Sequence, residues 1–442
     1  MRKKRNAFTL IELLAVIVIL AVILVISIPK ILDVIETSKI NALKNAVKLI
    51  ADSAEKKYTE NEAFGEENEI TCDSVSKLNK EDYSKCSIVF DENGIAKVSI
   101  IGKGKFDELA VINGTRISAE VIQLELPEYG EAKTFIENIY NDEVLRIAND
   151  LKKDNTSDQN IRYYGSNPNN YVSFNNELWR IIGVFGNNVK LVRSESLGNI
   201  SWDSSDSTIN NGYGVNQWGE STYEDGSSYE GADLQVYLNK MYYGGDTTVT
   251  CYNGRYNQTT TCPKDSNGNF LTIDETSKSL IDNHIWNTGA IENNTRTDTL
   301  AFYSAERGTK GKMCSSGTTC NDAVTRTTSW TGYVALPYIT DWAYASSERI
   351  CETNMQKQDS SNAYICKNNN WMQRSTVAWY LSPGAHGAYA PNAWNVGGDG
   401  YAGSNFVDGS FAVAPSIYLK SNVIIASGTG ISSNPYILRS GA

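Results

Sequence analysis

MRKKRNA (1–7), FTLIE (8–12) and LLAVIVILAVILVISI (13–28), closed by Pro29 and Lys30, make up the stretch from which the rest of this chain is read. Between Phe8 and Ile28 the only charge is Glu12. About 20 apolar residues in helical form cross a bilayer core. Arg2, Lys3, Lys4 and Arg5 precede the run, so the positive-inside bias keeps the N-terminus in the cytoplasm and sends the remainder outward. A secretory signal would have a shorter apolar core and a small-residue cleavage site after it; here the run ends in Ser27-Ile28-Pro29-Lys30. An ordinary anchor gives no reason for Glu12, because an ionisable group inside a spanning segment is costly and marks a function.

The leader Lys3-Lys4-Arg5-Asn6-Ala7 followed by Phe8-Thr9-Leu10-Ile11-Glu12-Leu13-Leu14 resembles the class III leader of type IV prepilins and pseudopilins. The resemblance implies cleavage between Ala7 and Phe8 by prepilin peptidase, N-methylation of Phe8, and assembly through Glu12, with Pro29 as the helix-bending proline. Ala7 stands where that family usually has Gly. In such a subunit the freed amine of Phe8 is a cation at the membrane edge. Glu12 is its counter-charge on a neighbouring copy, which sets the stagger between bundled helices.

Beyond Pro29 the helix is expected to continue to about Tyr58. Leu32, Ile35, Leu43, Val47, Ile50 and Ala54 recur at helical spacing, with Asp33, Glu36, Lys39, Lys44 and Lys48 between them. Pro29 removes one backbone hydrogen bond and is expected to kink the helix without ending it. After it, Ser87–Phe90 and Ala96–Ile100 read as short strands around the turn signal Asp91-Glu92-Asn93-Gly94.

The expected class is therefore α+β, in five regions. They are a leader (1–7), a membrane-spanning pilin helix (8–58), a small antiparallel-sheet head (59–125), a helical connector (126–160) and a large loop-rich α+β domain (161–442). Thr134–Leu151 reads as one helix, and Lys152–Asp158 as a polar boundary. In the last region Trp179–Val184 and Val189–Arg193 read as a strand pair turned at Gly186-Asn187-Asn188. Asp233–Tyr243 and Thr276–Trp286 read as helices, and Val413–Leu419 and Tyr436–Leu438 as late strands.

All nine tryptophans fall in 161–442. Asn170–Asn175 with Trp179–Val184, Trp379–Pro383 and Ala414–Lys420 together resemble an uncharacterised domain of Gram-positive surface proteins. That domain is distantly similar to the formylglycine-generating-enzyme version of the C-type-lectin-like fold. The likeness implies architecture and a Gram-positive-type source, and no activity is carried over. Trp179 and Trp379 are expected in the core; the loop residues Trp218 and Trp394 are the candidate contacts for a surface ligand, glycan or protein.

Eight cysteines allow 105 connectivities. Export to an oxidising compartment and the turn-rich setting of each couple favour local pairing: Cys72–Cys86, Cys251–Cys262, Cys314–Cys320 and Cys351–Cys366. With no Cys-x-x-Cys, and with His284 and His386 as the only histidines, zinc has little support. Asp265-Ser266-Asn267-Gly268-Asn269 places oxygens at alternate positions, as a calcium loop does. Phe270 stands where such a loop needs Gly, however, so a plain turn is the favoured reading and calcium at Asp265, Asn267 and Asn269 the weaker one. No cofactor is otherwise expected.

The whole chain has a net charge of −11; without the leader it carries 36 basic and 51 acidic residues, a net of −15. No basic tract follows the leader, which argues against a nucleic-acid partner. No catalytic constellation stands out, so the expectation is a non-enzymatic protein. It would be a pilin-like filament subunit that passes through the membrane and displays its outer domain on the cell surface for adhesion, with other pilin subunits as partners. A pseudopilin of a type II secretion or competence machine is the first alternative, and a membrane-anchored surface enzyme the second.

Overall fold

The computed structural model describes residues 10–65, 69–75, 79–205, 212–222, 228–292, 298–308, 327–355, 365–385 and 392–441. The chain divides into two compact units, Met1–Glu125 and Leu126–Ala442.

The first unit is built on one helix, Leu10–Phe64, with Pro29 inside it. At ~1.5 Å per residue it is about 80 Å long. It runs six residues past the expected end at Tyr58. Its two halves have different surroundings. From Leu43 onward Leu43, Val47, Ile50, Ala51 and Ala54 are buried against Val98, Ile100, Phe106, Leu109 and Val111. Leu32 and Ile35, although they continue the same periodicity, are exposed. The sheet that covers the second half is a four-stranded antiparallel meander of Tyr83–Phe90, Ala96–Gly102, Leu109–Gly114 and Ile122–Gln123. Its first hairpin forms at the expected turn. The Asp91 carboxylate accepts the backbone N–H groups of Asn93 (2.9 Å) and Ile95 (3.0 Å), and Gly94 takes a φ of +74°. An Asx turn with glycine at the left-handed position reverses the chain without strain. Cys72 is bonded to Cys86, tying the short helix Cys72–Val75 to the first strand.

The second unit holds two larger sheets. The central strand of the first is Glu177–Phe185, buried on both faces over its last seven residues. Asn188–Arg193 pairs with it antiparallel across a turn in which Gly186 has a φ of +58°. The other edge is shared by Tyr171–Phe174 and Ile161–Tyr163. Ser416–Tyr418 and Val334–Ala335 extend the sheet on one side, and Tyr436–Ser440 and Val423–Ser427 on the other. The second sheet orders Asn199–Ser201, Ser410–Ala412, Ala378–Ala385, Asn392–Val396 and Ala402–Phe406, with Ile291–Glu292 parallel to Ala378–Ala385. Trp202 lies edge-on to both Trp218 (4.9 Å between centroids) and Trp379 (6.0 Å), which joins strands and loops distant in sequence into one aromatic core.

Three expectations need correction. Residues 126–160 are not a separate connector: Phe135, Ile136 and Ile139 are buried, and Leu151–Lys153 pairs with Ile161–Tyr163, so the segment is part of the second unit. Nor is Thr134–Leu151 one helix. It breaks at Asp142, whose carboxylate accepts the N–H groups of Val144 and Leu145 (2.9 Å each) and starts a new helix, Glu143–Ala148. Thr276–Trp286 is also divided. The helix Glu275–Leu280 ends, and His284–Asn287 pairs as a strand with Ser329–Gly332. Asp233–Tyr243 is helical, but its second part, Tyr237–Tyr243, is a π-helix.

Candidate functional site

The N-terminal helix is the first place where the fold leaves chemistry exposed. Leu14, Val16–Leu20, Val22–Val25, Ile28, Ile31, Leu32, Val34 and Ile35 are all exposed, on every side of the helix. A helix apolar all round has no stable aqueous surface and belongs in a bilayer or among other apolar helices. After Glu12 the next charge is Lys30, so about 25 Å of helix is uncharged at ~1.5 Å per residue. Glu12 lies two residues into the helix that begins at Leu10. Pro29 is accommodated because the helix continues through it to Phe64. Ala7 and Phe8, the expected cleavage and methylation positions, lie outside the described residues.

In the second unit the expected ligand contacts are not on the surface. Trp218 and Trp394 are both wholly buried. Trp218 packs edge-on to Trp202, and Trp394 edge-on to Phe302 at 4.8 Å. Each sits in a polar, glycine-rich stretch that reads as a loop, yet Trp394 lies on the strand Asn392–Val396 of the second sheet and Trp218 is enclosed by Trp202 and Trp330. Trp179 and Trp379 are buried as expected.

The turn at Asp265 is not arranged for a cation. One oxygen of its carboxylate accepts the N–H groups of Asn267 (2.9 Å) and Asn269 (2.8 Å), and the other accepts Nδ2 of Asn269 at 3.3 Å. Those donors hold the carboxyl below its usual range, the Asn269 N–H foremost. The carboxylate is thus engaged in closing its own Asx turn, and among the described residues no cluster of three or more His, Cys, Asp or Glu side chains that could hold a metal is present, so calcium at Asp265, Asn267 and Asn269 gains no support. Cys251 is bonded to Cys262 and Cys351 to Cys366; Cys314 and Cys320 lie outside the described residues. His284 Nδ1 lies 3.0 Å from Asp282 Oδ2 and its ring stacks on Tyr418, with burial lowering its basicity. His386 lies outside the described residues.

Sequence reasoning missed a buried ionic chain. Arg162 Nε donates to Asp154 Oδ2 at 2.6 Å and its Nη1 to Asp341 Oδ1 at 2.7 Å; Lys190 Nζ donates to Asp341 Oδ2 at 2.6 Å. All four side chains are at most 1 % exposed. The Lys190 ammonium also lies 4.1 Å from the ring centre of Tyr338 and 5.2 Å from those of Trp286 and Tyr418. Burial outweighs the pull of Asp341 and takes its pKa down to about 8. The same arrangement holds the Asp341 carboxyl below its usual range, Lys190 and Arg162 overcoming the cost of burial. A charge-balanced, buried chain of this kind ties together the strands and helices that carry it, with Arg162 Nη2 left buried without a partner. A lysine or arginine in an otherwise apolar strand, as in Val189-Lys190-Leu191, was the available signal.

A known family matches the chain over residues 2–28, the prokaryotic N-terminal methylation motif. That span contains the basic leader, Ala7, Phe8, Glu12 and all of the uncharged run up to Ile28. No curated protein and no solved structure matches the chain, so the likeness of the second unit to a surface domain or to the C-type-lectin-like fold gains no support. The motif and the exposed apolar helix support a type IV pilin-like or pseudopilin subunit. Such a protein is processed by prepilin peptidase, assembles with other pilin subunits, and fits a membrane-anchored, surface-exposed setting.

Proposed function

We propose that this chain is a type IV pilin-like filament subunit that carries Leu126–Ala442 as a non-enzymatic display domain for adhesion or surface interaction. The observation that carries the reading is the helix itself. Its first half presents apolar side chains on all sides from Leu14 to Ile35, directly after a methylation motif at 2–28, while its second half is already packed by its own sheet. Before assembly the apolar half lies in the membrane with Arg2–Arg5 on the cytoplasmic side. After cleavage the amine of Phe8 and the carboxylate of Glu12 of adjacent copies neutralise one another, and the apolar halves bundle.

The outer unit is large for a particle repeated at every helical step, which favours a minor or tip position. Mass spectrometry of the N-terminus of the mature protein tests the first step. N-methylated Phe8 is expected, and an intact Met1-Arg2 start would overturn the reading. Filaments sheared from cells test the second. The chain should be present in them, and Glu12→Ala should leave the protein in the membrane fraction but absent from the sheared material. Retention of the wild-type chain in the envelope, with none in sheared filaments, would favour a pseudopilin.

A further inference from the structure

Arg180, Arg193 and Arg374 come from two distant parts of the chain and line one cavity of about 60 Å³ in the second unit, together with Ser194, Trp371 and Tyr380. Among the described residues no acidic one lines it. Arg193 is neutralised by Glu177, its Nε and Nη2 donating to the two carboxylate oxygens at 2.6 and 3.0 Å. The other two guanidinium groups have no such partner among the described residues. Arg180, 7 % exposed, is held between the rings of Tyr171 and Trp371, with its carbon 4.1 and 4.6 Å from their centres. Its Nε donates to Asn170 Oδ1 and its Nη2 to Asn167 Oδ1 and the Pro168 carbonyl. Arg374 Nη1 and Nη2 donate to the carbonyls of Ser194 and Arg193, both at 3.0 Å. Each of these acceptors is neutral.

The hydrogen bonds of Arg180 use Nε and Nη2 and those of Arg374 use Nη1 and Nη2; Tyr380 is 3 % exposed, and Ser194 Oγ is buried without a partner. Burial lowers the basicity of both arginines, Arg180 being buried and Arg374 half-buried, each without a carboxylate beside it. Elsewhere in this unit a buried cation has its carboxylate: Lys190 and Arg162 have Asp341, and Arg193 has Glu177. Two fixed guanidinium groups and two hydroxyls lining one small cavity are complementary to the head of an oxyanion.

We propose that this cavity is an anion-recognition site of the outer unit, in which Arg180 and Arg374 bind the oxyanion group of an acidic ligand, the carboxylate of an acidic sugar or the phosphate of a phosphate ester, with Tyr380 and Ser194 donating to it. The site does not depend on filament assembly, so it stands or falls separately from the pilin reading. Isothermal titration of the purified full-length chain in detergent, at constant ionic strength set with chloride, tests it with two probes, glucuronate and glycerol phosphate. Saturable one-to-one binding of either supports the site, and the tighter of the two identifies the source of the oxyanion. Tyr380→Phe, which deletes one oxygen and keeps the ring, should weaken binding by a few-fold, and Arg374→Gln by about tenfold or more. Absence of saturable binding by both probes, or affinities unchanged in both variants, overturns it.

Discussion

Replacing Asp341 by asparagine removes one negative charge from the middle of the buried chain and leaves its shape nearly intact. In the wild-type protein Asp154 and Asp341 balance Arg162 and Lys190, and Asp341 also accepts the backbone N–H of Tyr338 at 2.9 Å at the start of the helix Ile339–Tyr344. In Asp341→Asn the amide oxygen can still accept that N–H, but a neutral amide cannot offset two cations whose donors lie at 2.6 and 2.7 Å from the native carboxylate. Leaving one buried charge uncompensated costs about 3–5 kcal/mol. The loss is bounded from above, because Lys190, already down to about 8, sheds its proton when Asp341 no longer holds it. At ~2 °C per kcal/mol for a unit of this size, the unfolding midpoint should fall by about 6–10 °C. Near-UV circular dichroism of the full chain isolates the effect, since every tryptophan lies in the second unit. Adding Lys190→Met removes the buried amine left without its carboxylate and leaves Arg162 paired with Asp154, so the double variant should recover at least half of the loss. A change of less than about 1 kcal/mol for Asp341→Asn, or a double variant no more stable than the single, would refute the assignment of this chain as a charge-balanced unit.

Other outcomes follow from the same structure. Asp203 accepts the N–H groups of Val215 (2.7 Å) and Asp233 (3.1 Å) deep in the second unit, and burial raises both carboxyls, Asp233 to about 7 and Asp203 well above its usual range. The folded state therefore keeps protons that the unfolded chain releases near pH 4, and stability is lost as pH rises from about 4 to 7. Asp233→Asn should stabilise by on the order of 2–3 kcal/mol at pH 7.5 and by little at pH 4.5, as measured by thermal unfolding at the two values; equal gains at both would count against it. Leu43→Ala opens the interface between the long helix and its sheet and should cost about 2–5 kcal/mol in the first unit, read by far-UV melting, while the tryptophan signal of the second unit is unchanged. Replacing Cys251 and Cys262 together by Ser should lower the stability of the second unit by about 2–3 kcal/mol in urea titration, with no change in membrane insertion.

Local chemistry accounts for most of what could be read in advance. The uncharged run after Glu12 sets a membrane-length helix because only length and polarity matter to a bilayer. The hairpins at Asp91–Gly94 and Gly186–Asn188 form where an Asx turn or a positive-φ glycine is needed within a few residues. The three disulfides among the described residues close short loops between neighbours in sequence. Helix ends were harder: Asp142 interrupts a continuous apolar period by capping the next helix, and Leu280 ends one because Ile285 and Trp286 enter a strand pair with residues some 45 positions later.

The burial of Trp218 and Trp394, the meeting of Arg162 and Lys190 at Asp341, and the gathering of Arg180, Arg193 and Arg374 around one cavity are different in kind. Each depends on segments that lie far apart in the sequence, and a residue's composition and neighbours carry no information on which distant surface will cover it. The methylation motif and the membrane-length apolar run are therefore local properties of residues 1–29, whereas the cavity and the buried ionic chain of the second unit arise from how its two sheets and their loops close around one another.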